Sequence, residues 1–299
     1  MAYVAFDLDN TLGYFEVVGP LAFFMSPEFL TNPEESPMNS LNISKRLSVK
    51  LAHVRKDFAH ELVKRPDILH AVLRPNLDTL IKPLLKGKNT VIIYSNTGNT
   101  FSTHLAKDLI ERKYKSPGLI QLIADVFHPL RKPETSGLRG ADGFLNPDKT
   151  FPVLNTLLAA AAKRHMPIHT PIHPEDMLFV DDRTPMHPIS EATRLGLTYI
   201  KPTAYAPRVT KTVRQEILQI ALGVMDKAGL LADEEYLASG FCFRRIRRKE
   251  GVKVIKGFPD LFTYVWKSMN ETYYPPSKWV DDTSSLESGM RRFVERQGL

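Results

Sequence analysis

The chain has 299 residues, with 40 Lys and Arg against 33 Asp and Glu, a formal net charge of +7. Apolar residues make up 43% of it and charged ones 24%, enough apolar surface to offset the entropy of ordering, so disorder throughout is excluded. The single cysteine, Cys242, excludes an internal disulfide and a Cys-based zinc cluster and points to a reducing compartment.

Residues 2–6 form an apolar, β-rich run that stops abruptly at Asp7. Such a run reads as a strand buried on both faces, and the absence of a basic segment before it gives the expectation that the first residues belong to the fold. Residues 13–73 then read as an insert, with a Pro/Asn/Ser-rich stretch (26–40) followed by a helix over 43–64. A helix over 76–85 leads to a second buried strand at 90–94, which stops at Ser95. Helices over 100–113 and 148–164 follow, then a strand at 177–180 that stops at Asp181-Asp182. A helix over 188–195 and a strand at 197–200 complete the pattern.

Short buried strands alternating with helices predict an α/β fold with a doubly wound parallel sheet, occupying residues 1–205 with the insert at 13–73. Sites in that architecture gather at the carboxyl ends of strands, where Asp7, Ser95 and Asp181 fall.

Residues 206–299 read as a helical and hairpin appendage. Its expected parts are a helix over 209–227, a short one over 233–238, a hairpin (241–248 and 252–255) and a helix over 286–296, with irregular chain before the last. Between 241 and 256 lie seven Lys or Arg and one Glu, most of the net charge. That basic segment could engage nucleic acid, or an acidic partner, or serve as a solvated edge hairpin whose charge blocks aggregation; the alternating apolar residues favour the last. His165, His169 and His173 recur every four residues, but Pro167 and Pro171 break any helix that would align them, so no zinc face is expected. No apolar stretch reaches the roughly 18–20 residues of a spanning helix. The expectation is a soluble intracellular protein, in cytoplasm or nucleus.

The sharpest local signal is Asp7-Leu8-Asp9-Asn10-Thr11. Continued as a strand, positions 7 and 9 share one face while Leu8 points into the core. Two carboxylates so close repel unless a cation or a shared proton holds them; the plain alternative is two loop acids.

These residues resemble the first motif, Asp-x-Asp-x-Thr, of the haloacid-dehalogenase (HAD) superfamily. Ser95 is similar to its second motif and Asp181-Asp182 to its fourth, in the expected order. Leu73-Arg74-Pro75, with the leucine-rich helix and the strand that ends at Ser95, resembles the carboxy-terminal-domain or NLI-interacting-factor-like phosphatases. In their first motif Glu usually stands where this chain has Asn10. The resemblance covers residues 2–16 and 72–203.

It implies a HAD-like Rossmannoid core and a Mg2+-dependent phosphatase that hydrolyses a phosphate monoester through an aspartyl-phosphate. Asp7 would be the nucleophile and Asp9 the general acid and base. Mg2+ would be held by Asp7, the backbone carbonyl of Asp9 and Asp181, with Asp182 assisting. Ser95, the backbone N–H of Asn96 and a lysine would bind the phosphoryl oxygens, with Thr11 orienting the loop. Lys149, at the start of the helix that leads to the fourth motif, is favoured as that lysine over Lys132. The implied substrate is a phosphoprotein; the alternatives are a small metabolite, a nucleic-acid end, or a non-catalytic binding protein on the same fold.

Overall fold

The computed structural model describes residues 2–27, 30–31, 43–86, 89–97, 99–125, 149, 151–163, 172–183, 193–243, 253–255, 257–270 and 281–298. In chain order the named elements are β1 (Tyr3–Phe6), α1 (Ala22–Met25), β2 (Leu30–Thr31), α2 (Lys45–Val63), α3 (Pro66–Leu69), α4 (Leu77–Ile81), β3 (Thr90–Tyr94), α5 (Thr100–Lys113), β4 (Ile120–Ala124), α6 (Phe151–Ala162), β5 (Met177–Val180), β6 (Thr198–Ile200), α7 (Lys211–Lys227), α8 (Glu234–Ala238), β7 (Gly240–Phe243), β8 (Lys253–Ile255), α9 (Gly257–Asn270) and α10 (Thr283–Gln297). The chain divides into two compact units. One comprises Met1–Phe15, Leu73–Pro207 and Pro275–Leu299, the other Glu16–Val72 and Arg208–Tyr274.

The first unit is built on a five-stranded sheet, β4-β3-β1-β5-β6, with every pair parallel. The expected α/β fold with a parallel sheet is therefore present. Every residue of β1, β3 and β5 is buried, which is why these strands read as unbroken apolar runs rather than alternating ones. Helix α6 covers one face. Leu154, Leu157, Leu158 and Ala161 recur at helix spacing and pack with Ala5, Ile92, Tyr94 and Phe179. Helix α5 starts where the Asn99 side chain accepts the Ser102 N–H, and it buries Phe101, Leu105 and Leu109. Helix α10 packs on α4 and β6 through Leu286, Met290 and Phe293. The strand order reverses at β1: the chain goes to β3 and β4 on one side and later to β5 and β6 on the other. A crevice at the carboxyl ends of β1 and β5 is the usual ligand position in such sheets.

Three sequence expectations need correction here. The predicted helix over 76–85 is α-helical only to Ile81 and continues as a 3-10 turn, Lys82–Leu85, because Pro83 supplies no N–H for an α-helical bond. Strand β4 was not expected. Its Gln121 side chain accepts the Val91 N–H where the β3–β4 register shifts, so a polar residue takes part in the sheet. Helix α9 was not expected either, in a stretch read as irregular; Leu261, Val265 and Met269 form its buried stripe.

The second unit joins α2 to α7, and α7 to α9. Ser44 caps α2 by accepting the Leu47 N–H, and Thr210 caps α7 by accepting that of Val213. Phe24, Tyr236, Phe258 and Phe262 cluster, with the Tyr236 hydroxyl donating to the Phe24 carbonyl at 3.2 Å. The expected hairpin is present as β7 and β8, antiparallel, with β2 added at the β7 edge. The side chains of the basic segment 241–256, Lys132, His165 and His169 lie outside the described residues. Among the described residues no helix is long and apolar enough to cross a membrane.

Candidate active site

Register puts the acidic residues together. Phe6 pairs with Val180, so Asp7 and Asp181 leave adjacent parallel strands at the same level. The backbone continues the pairing: the Asp7 N–H donates to the Val180 carbonyl at 2.9 Å and the Asp181 N–H to that of Ile200 at 3.2 Å. Carboxylate oxygens of Asp7, Asp181 and Asp182 lie within 4.8 Å of one another. Asp7 and Asp181 are buried, and Asp182 is half-buried.

Lys149 closes this group from the segment before α6. Its ammonium is 2.5 Å from Asp7 Oδ1 and 2.7 Å from Asp181 Oδ2, and its side chain is only 8% exposed. It also lies over the Phe179 ring, 5.6 Å from the centroid. Asp181 is held twice, since its Oδ1 accepts the Arg183 backbone N–H at 2.9 Å. Asp182 is tied to the first loop: its N–H donates to Thr11 Oγ1 at 2.9 Å, and that hydroxyl donates to Asp182 Oδ1 at 3.3 Å.

The loop after β1 is not a strand continuation. The Leu12 N–H donates to the Leu8 carbonyl at 3.0 Å and the Asn10 N–H to that of Gly13 at 2.7 Å, with Asn10 at φ +63°. The strand ends at Phe6, so the shared strand face expected for positions 7 and 9 is replaced by a tight turn. Leu8 is fully buried as expected. The Asp9 carboxylate stands outside the trio; its backbone bridges to Gly13.

Ser95 and Asn96 follow β3, the strand on the other side of β1. Ser95 is buried, donates its N–H to the Ala124 carbonyl at 3.1 Å and accepts the Thr97 N–H on its hydroxyl at 3.2 Å. Asn96 is half-buried.

Electrostatics make the cluster uneasy as it stands. Burial pushes the Asp7 carboxyl above the usual range, Lys149 pulls it down, and the Asp181 charge pushes it further up; the net direction is upward. Burial followed by the charges of Asp7 and Asp181 raises Asp182 as well. Three carboxylates face one buried ammonium, so negative charge is left over. An all-oxygen donor set with excess negative charge suits a hard divalent cation such as Mg2+, and these residues fit that group.

Two further residues escaped the sequence reading. Arg183 is half exposed, with Nε 3.6 Å from Asp181 Oδ1. Burial works against its charge, but Asp181, Asp7 and Asp182 outweigh that and strengthen its protonation. Tyr199 donates its hydroxyl to the Arg183 carbonyl at 2.9 Å and so fixes the turn after β5. Arg183 directly follows the acidic pair, and that adjacency was the available signal. Tyr199 carried none, because its contact is made across the β5–β6 pair.

Scanned against models of known protein families, the chain matches none, and no curated protein sequence matches it.

Proposed function

We propose that this chain is a Mg2+-dependent phosphatase of the HAD type, hydrolysing a phosphate monoester through an aspartyl-phosphate on Asp7. The observation that carries the reading is the buried Lys149 ammonium held between Asp7 and Asp181 at the point where the strand order reverses, beside a third carboxylate. A lysine so placed can accompany an incoming phosphoryl group while staying close to the carboxylate that attacks it. Bound through Asp7, Asp181, Asp182 and the Asp9 carbonyl, Mg2+ would offset the repulsion between an anionic nucleophile and an anionic substrate.

In this scheme Asp7 attacks phosphorus and the ester oxygen leaves with a proton from Asp9. Asp9 then takes a proton from the water that cleaves the acyl phosphate, returning Asp7 and inorganic phosphate. Ser95, the Asn96 N–H and Lys149 bind the phosphoryl oxygens. The resemblance to the carboxy-terminal-domain phosphatases supports a phosphoprotein as the substrate.

Hydrolysis of an aryl phosphate with and without Mg2+ tests the reading, with phosphopeptides, nucleotides and 3′-phosphorylated oligonucleotides as a second panel. The expected result is Mg2+-dependent turnover that is lost in Asp7→Asn while the fold is kept. Turnover that survives in Asp7→Asn, or that ignores Mg2+, contradicts it.

A further inference from the structure

Arg74 is charged and fully buried, yet lies outside the carboxylate cluster. Its Nε donates to the Thr11 carbonyl at 2.8 Å and its Nη2 to the Asn10 carbonyl at 3.0 Å and to the Thr203 carbonyl; Nη1 donates to Asp282 Oδ1 at 3.0 Å. Tyr205 covers the guanidinium, 5.9 Å from its ring centroid, and gives its N–H to the same Asn10 carbonyl at 2.7 Å. Asp282 sits just before α10, and its side chain is 8% exposed. Besides Arg74 it accepts from Asn76 Nδ2 at 2.9 Å and from the Thr203 N–H.

Two of the three carbonyls that Arg74 holds, those of Asn10 and Thr11, belong to the turn that starts at Leu8. Asn10 is in the left-handed region, which an asparagine tolerates but which needs support from its surroundings. Thr11, whose carbonyl is held, is the residue whose hydroxyl exchanges two hydrogen bonds with Asp182. A continuous set of hydrogen bonds therefore runs from Asp282 through Arg74 and Thr11 to a member of the cluster.

We propose that Arg74, fixed by Asp282, is a positioning residue for the carboxylate cluster: it holds the 9–13 turn so that Thr11 orients Asp182. The segment carrying Asp282 and α10 is thereby a working part of the site. The proposal rests on the cluster being the reaction centre, as argued above, and adds a remote group that the reaction requires.

Asp282→Asn in the full chain is the test. Neutralising one partner of this buried pair lowers stability, but Arg74 keeps its three carbonyl acceptors, and protection of the β1 amides reports that the fold persists while the charge that fixes the guanidinium is gone. Amide exchange of Asn10, bonded to Gly13, and of Tyr205, bonded to Asn10, should quicken about tenfold while the β1 amides stay protected. With an aryl phosphate and Mg2+, kcat should fall about 10- to 100-fold at unchanged KM. Adding Thr11→Val should cost little more, because both changes act through one path. Unchanged exchange at Asn10 and Tyr205 overturns the proposal, as does an unchanged kcat or strictly additive loss in the double variant. If the wild-type chain hydrolyses nothing, the phosphatase reading fails, and the exchange measurement alone decides whether the clamp exists.

Discussion

Lys149 is where charge balance in the cluster is most exposed to test. It is the buried cation touching both Asp7 and Asp181, and removing one partner of a buried pair leaves the other as an uncompensated charge. Lys149→Met should lower folding stability by about 3–5 kcal/mol in a chelator, read by denaturant unfolding. Mg2+ should restore more stability to that variant than it adds to the wild type, because the cation takes over the neutralising role. Equal stability of the two proteins in chelator would contradict the charge balance described here. At this scale the sequence was informative for Asp7, Ser95 and Asp181, each standing directly after an apolar run. It singled out Arg74 only within Leu73-Arg74-Pro75, without a role, and passed over Tyr199; the contacts of both arise from partners 208 and 16 positions away.

At the scale of elements, local rules worked where local forces dominate. Residues 100–113 and 177–180 fall as expected, because a side-chain cap fixes the start of α5 and the unbroken apolar run defines β5. They failed for α9, whose Gly257, Pro259 and β-branched or aromatic residues are poor helix formers; the buried stripe of Leu261, Val265 and Met269 overrides that preference. Two helical glycines separate packing from propensity in the same way. Gly223 in α7 lies at a cleft of the second unit, and an added Cβ there meets nothing within 4 Å. Gly289 in α10 lies against Ile200, where the same atom would come within 2.9 Å of Cδ1 and 3.0 Å of Cγ1. Gly223→Ala should therefore raise stability by about 1 kcal/mol. Gly289→Ala should lose that gain to overpacking, which costs about 1–3 kcal/mol. Denaturant titration of both variants checks this, and a gain at Gly289 equal to that at Gly223 would refute the close approach.

Over the whole molecule, the chain threads each unit from separate segments, leaving the first after Phe15, returning at Leu73, leaving again after Pro207 and returning at Pro275. Local patterns hold no record of such pairing, so the contact between α2 and α7 was not legible although both helices were. The second unit has its own pH signature. Asp233 is held well below the usual carboxylate range, first by hydrogen bonds from Arg46, against the opposing effect of burial, and then by Lys50. A depressed folded-state value gives stability that is present above the unfolded value of about 3.9 and is lost as pH falls through the folded one. The stability advantage of wild type over Asp233→Asn should be full at neutral pH and shrink below about pH 4; an advantage independent of pH would contradict the pairing.

The central claim is that Asp7 takes up the phosphoryl group, and one measurement addresses it directly. Acid quenching during turnover of an aryl phosphate, followed by borohydride reduction and mass spectrometry, converts an aspartyl-phosphate into homoserine at the residue that carried it. The account predicts homoserine at position 7 in the Mg2+-loaded wild type and none in Asp7→Asn. Homoserine at any other position, or none during measurable turnover, would contradict it.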